Sequence, residues 1–162
     1  MKRQKGATLL ELLIYVAVLS IIFLVIGETL TTLIFTQEKI EARKTVDREL
    51  EFAVKKIQQS IELASAISGS YPSNTLTLTV GGQAVSYYVS SGILEKNTGG
   101  TIVDLTSNKV VVAAGSGNLF YEIENPSANP TVQIKMKVSY ISNDPQLQNI
   151  QAQTQTSFAL RE

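Results

Sequence analysis

The 162-residue chain contains no cysteine and no histidine. Without cysteine there is no disulfide, no thiolate nucleophile and no cysteine-based metal site. Without histidine, the commonest general base and the commonest zinc ligand are missing. Charged residues make up only 17% of the chain, 14 basic against 14 acidic. No basic patch of the kind nucleic acid requires stands out. A phosphate-cradling loop is missing too, because Gly115-x-Gly117 is followed by neither a helical pattern nor a lysine. Proline is absent from residues 1 to 71, so nothing in that stretch forbids a long helix.

What the chain does contain is concentrated at its start. Lys2, Arg3 and Lys5 precede Gly6, and an apolar run follows. From Leu12 to Ile26 no residue is charged, and Leu12, Leu13, Ile14, Val16, Leu19, Ile22, Leu24 and Ile26 carry the run. With Thr8 to Leu10 it approaches the ~20 residues that cross a bilayer. The basic residues lie before the run and mixed charges only from Glu38, so the positive-inside rule places the N-terminus in the cytoplasm and the C-terminal part outside. If Lys2, Arg3 and Lys5 are removed, 14 less 3 leaves 11 basic residues against 14 acidic ones, a net of −3.

Glu11 interrupts this simple picture. A carboxylate inside a membrane helix costs roughly 2.5–3.5 kcal/mol at the centre and less near an end. A secretory signal peptide rarely places a carboxylate in its apolar region, and no small-x-small cleavage site follows the run. A plain anchor gives Glu11 no purpose. A subunit that must find a positive partner inside the bilayer does.

The run Gly6-Ala7-Thr8-Leu9-Leu10-Glu11-Leu12-Leu13 resembles the N-terminal motif of type IV pilins and type II secretion pseudopilins. The resemblance implies a leader of residues 1–6, cut between Gly6 and Ala7 by prepilin peptidase. Ala7 would become the new N-terminus and carry N-methylation, although phenylalanine is usual at that position. Glu11 would pair with the N-terminal amine of a neighbouring subunit. Gly27 stands near where many major pilins carry a helix-breaking proline. The implied partners are prepilin peptidase, other pilin or pseudopilin subunits, and an inner-membrane assembly platform with its ATPase. No cofactor and no nucleic acid are expected. The hairpin region Val85–Val89 and the tail Gln155–Arg161 resemble J-type minor pseudopilins and their pilus counterparts more faintly.

Beyond the membrane segment the helical pattern continues. Val46, Leu50, Val54, Ile57, Ile61 and Ala64 recur at three- and four-residue spacing, with charges on the other faces. Ser68-Gly69-Ser70 and Pro72 supply the stop, so the spacing predicts a helix from about Thr8 to Ile67. After Pro72 the period changes to two. Strands are predicted over 75–80, 84–89, 93–96, 110–113, 119–123, 131–142 and 151–160, with the last at an edge. Residues 97–100 and 125–130 read as loops. Tyr87 and Tyr88 should face opposite sides of their strand.

The expected fold is α+β: a long N-terminal stem helix whose outer half packs on an antiparallel β-sheet head, pilin-like. The expected division is a leader at 1–6, the transmembrane and assembly half of the stem at 7–35, and a head at 36–162. Glu122 and Glu124, with Asn118 or Asp144, form the one conceivable calcium cluster, but a solvated strand face explains them more simply. The expected role is a structural subunit and not an enzyme, serving secretion or a pilus at a tip or initiation complex. A tip adhesin, a DNA-uptake subunit and an uncleaved single-pass anchor are the alternatives.

Overall fold

The computed structural model describes residues 8–123 and 130–161. Residues 124–129, which hold most of the predicted 125–130 loop, lie outside them. The chain divides into two compact units, Met1–Ile40 and Glu41–Glu162.

Helix α1 spans Leu9–Glu62. Its portion within the first unit is exposed at every described residue. Gly27 does not interrupt it. Within the second unit the pattern changes, and Ala42, Val46, Leu50, Ala53, Ile57, Ser60 and Ile61 are buried. Val54, placed on the same stripe by sequence spacing, is only partly buried, and Ala53 takes the central position.

The helix ends at Glu62, five residues before the predicted end at Ile67. Residues Ala64–Ser68 instead form strand β1, paired antiparallel with β2 (Thr75–Val80). The 3–4 spacing that carries the helix reaches Ala64, but Ile67 meets Leu78 across the ladder and the pairing wins. The predicted helix stop at Ser68-Gly69-Ser70 therefore ends a strand.

The fold class is the expected one, a long helix packed on antiparallel β-structure, and the strands form two sheets rather than one. The first sheet runs β1, β2, β3 (Gln83–Ser90), β4 (Ile93–Thr98) and β5 (Thr101–Asp104) in chain order. Two-residue glycine turns close two of its hairpins. Gly81-Gly82 has φ of 57° and 79°, and Gly99-Gly100 has φ of 57° and 92°. Positive φ at both central residues suits the right-handed twist of the flanking strands. The predicted 97–100 loop is thus the end of β4 and a tight turn into a strand that periodicity did not reveal.

The second sheet is built on β8 (Thr131–Tyr140). β6 (Val110–Ala114) and β7 (Phe120–Ile123) lie end to end along one side of it, and β9 (Gln151–Ala159) along the other. One core joins both sheets to the helix. Val132, Ile134, Met136 and Val138 of β8 are fully buried, as are Leu76, Leu78, Tyr87, Leu94 and Phe120. Tyr88 is half-buried on the opposite face from Tyr87, as the two-residue period requires.

Candidate assembly segment

The described part of the N-terminal segment begins with a helix cap. Thr8 accepts from the Glu11 N–H with its carbonyl at 3.0 Å and with its Oγ1 at 3.4 Å, and from the Leu12 N–H at 3.2 Å. Thr8 and Glu11 stand three residues apart, the spacing of a capping box. Glu11 also lies in the first turn, where a negative charge complements the helix dipole. The Thr-x-x-Glu spacing carries this local role beside the membrane-partner role expected of Glu11. No described residue pairs with the Glu11 carboxylate. Gly6 and Ala7, the expected cleavage and methylation positions, lie outside the described residues.

Downstream, the apolar side chains have no cover. Leu12, Leu13, Ile14, Val16, Leu19, Ile22, Leu24 and Ile26 are all exposed, Leu24 to 72%. By length and composition this helix can cross a membrane. Its serine and threonine side chains suit that setting. Ser20 Oγ donates to the Val16 carbonyl at 2.8 Å, and Thr29 to Val25 at 2.8 Å. Thr31, Thr32 and Thr36 donate in the same way to Gly27, Glu28 and Thr32, at 2.8–2.9 Å. Each hydroxyl bonds four residues back within its own helix, so none needs a partner from lipid. The sequence signal for these bonds is threonine clustered in an apolar helix.

In the head, no cluster of three or more acidic residues able to hold a metal ion occurs among the described residues. Glu124 of the conceivable calcium set lies outside them. Tyr71 has its hydroxyl pKa raised, chiefly by burial and further by the Glu122 carboxylate, with the Thr77 N–H opposing. Tyr88 is raised by its hydrogen bond to Glu95.

Residues 1–27 match the family model described as the prokaryotic N-terminal methylation motif. The N-terminus carries the methylation motif of type IV pilins and pseudopilins. No curated protein and no solved structure matches the chain. The motif spans the expected cleavage site, Glu11 and the apolar run to Ile26. It implies processing by prepilin peptidase and assembly with other pilin-type subunits. The helix-on-sheet architecture of the chain is pilin-like.

Proposed function

We propose that this chain is a minor pilin or pseudopilin, a structural subunit that starts or tips a secretion pseudopilus or a type IV pilus in a few copies. Residues 1–6 form a cytoplasmic leader, residues 7–35 the transmembrane and assembly half of the stem, and residues 36–162 the head outside the membrane. Prepilin peptidase cuts between Gly6 and Ala7, and Ala7 is methylated on its new amine. The observation that carries the reading is the exposed apolar helix with a capped first turn and a carboxylate, Glu11, that meets no partner among the described residues, inside a methylation motif.

The mechanism follows from the cost of that helix. Its apolar surface is stable in lipid and unstable in water. It leaves the bilayer only when other stems cover it, and an assembly ATPase acting through an inner-membrane platform supplies the work. Glu11 sets the register. At ~4 Å, a carboxylate and an amine attract by about 4 kcal/mol at an effective dielectric near 20. The head composition, with no basic patch, does not favour a DNA-uptake role.

The test is intact mass of the chain from membranes of cells with and without prepilin peptidase. Loss of residues 1–6 only when the peptidase is present supports the reading. A further gain of about 14 Da reports one methyl group on Ala7. An uncut chain in both strains makes it an ordinary anchor and overturns the proposal.

A further inference from the structure

From Leu12 to Gln37 the stem carries a single charged residue, Glu28. It lines a groove of about 580 Å³ that lies wholly within the first unit. Phe23 and Phe35 are the outermost lining residues along the helix, about 18 Å apart at 1.5 Å per residue. Gly27 lies between them, and a Cβ there would stand in open space.

The polar groups of the groove set what it can hold. The Thr31 and Thr32 hydroxyls donate to the Gly27 and Glu28 carbonyls at 2.9 Å, so their protons are committed to their own helix. The Glu28 carboxylate accepts from no described residue. The groove therefore offers a negative charge and no free proton, bounded by hydrocarbon. Its complement is a positively charged donor on an aliphatic stem. A lysine or arginine side chain has that form, since its methylenes lie along apolar surface while the charged head reaches the carboxylate. A calcium ion takes about six to eight oxygen ligands, and one carboxylate is too few.

The need for a cation arises on assembly. From Leu9 to Glu28 the helix rises about 29 Å, close to the ~30 Å of the hydrocarbon core, so in the bilayer Glu28 reaches water at the outer edge. A bundle of stems displaces that water. A carboxylate taken out of water without a partner is strongly destabilising.

A second copy does not bring the cation. In the proposed pairing of Glu11 with an Ala7 amine, one neighbouring copy sets Leu24 beside Glu28 and the other sets Thr32. The first basic residue after the leader, Lys39, then stands about 22 Å or about 10 Å above Glu28. Both side chains lean toward the helix N-terminus, so the gap stays open. The cation belongs to a different chain, which suits a subunit present in few copies among others.

We infer that the groove beside Gly27 takes a lysine or arginine side chain from the stem of a different pilin-type subunit, and that this side chain pairs with Glu28. Gly27 leaves the room and Glu28 supplies the charge. A neighbour without a basic residue at this level leaves the carboxylate buried and unpaired, so the contact selects its neighbour as well as holding it. The inference deepens the reading of this chain as an assembling subunit and rests on it.

The experiment uses the full chain in membranes of the producing cell. A benzophenone amino acid replaces Leu24 or, separately, Thr31, both of which line the groove. Mass spectrometry then identifies the cross-linked peptides. The expected product joins this chain to the stem of another pilin-type subunit, with a lysine or arginine within about one helical turn of the linked residue. Glu28→Gln keeps the size and removes the charge, and it should cut the yield of that product about tenfold. Gly27→Leu fills the groove, fits this helix because the space is open, and should lower the yield similarly. Glu28→Lys should abolish the product, and exchanging the partner's basic residue for glutamate should restore it. A link to a second copy, a link to a helix without a basic residue at that level, links to lipid alone, or a yield unchanged by Glu28→Gln overturns the inference. So does a loss in Glu28→Lys that the exchange fails to repair. The mass of the chain in the same samples separates the two readings. A cleaved chain without the product removes this contact alone, the product from an uncleaved chain removes the pilin reading alone, and an uncleaved chain without it removes both.

Discussion

The hydroxyl of Tyr87 on β3 lies 2.5 Å from the Oγ of Ser60 on α1. Both residues are buried, and the Tyr87 hydroxyl also reaches the Lys56 carbonyl at 3.4 Å. This polar contact ties the helix to the first sheet inside a largely apolar core. Removing one partner strands the other, which costs about 1–3 kcal/mol. Tyr87→Phe should lower the stability of the head by that order in the full-length protein in detergent. Adding Ser60→Ala should cost less than the sum of the two single changes. Additive effects in a denaturant double-mutant cycle would show that the contact carries no coupling.

Burial predicts a sharp contrast along one helix. Ile57 is fully buried and Leu24 is 72% exposed. Ile57→Ala should destabilise the head by about 2–5 kcal/mol. Leu24→Ala should leave head unfolding within about 0.5 kcal/mol of the parent. Thermal melts followed by near-ultraviolet circular dichroism check both.

Substitution can separate the cap at Glu11 from its proposed pairing with an amine. Glutamine keeps the capping-box spacing with Thr8 but removes the charge. If pairing with an amine drives assembly, Glu11→Gln and Glu11→Ala should both accumulate in the membrane and enter filaments poorly. Sedimentation of sheared filaments measures this. Normal incorporation of the glutamine variant would mean that capping alone explains the residue.

Tyr71 links stability to alkaline pH. Its hydroxyl donates to the Ser68 carbonyl at 3.2 Å and accepts from the Thr77 N–H at 3.2 Å. Burial raises its pKa above the ordinary value of 10.0. The folded state therefore holds this proton where the unfolded chain has released it. The associated stability is fully present below pH 10.0 and is lost as pH rises through the raised value. Tyr71→Phe should flatten that part of the profile, as followed by denaturation at a series of alkaline pH values.

Much of this architecture was legible in local pattern. The stem helix, the switch to period two, and the alternation of Val132, Ile134, Met136 and Val138 all follow from residue spacing. What local pattern could not supply was pairing between distant segments. Ala64–Ser68 satisfies a helical spacing and becomes a strand because Thr77–Val80 stands opposite. The strand at Thr101–Asp104 is short and irregular in sequence, yet Gly99-Gly100 marked the hairpin that creates it. The division into two sheets depends on β8 taking three partners, a topological fact that no window of residues contains. For the assembly segment, the motif was plain in the sequence. The cap at Thr8 and the hydroxyl bonds were also within reach, because both depend on residues three and four apart.

Those internal hydroxyl bonds bear on how a membrane helix can change neighbours. Ser20, Thr29, Thr31, Thr32 and Thr36 each keep their proton bonded to the helix they belong to. Moving the segment from acyl chains to a bundle of similar helices therefore breaks none of these bonds, and it mostly exchanges one hydrocarbon contact for another. Discrimination between the right and the wrong bundle cannot come from such a uniform surface. It is left to the few charged groups on the segment, and in the proposed pairing the Glu11 carboxylate near the helix start acts as the address.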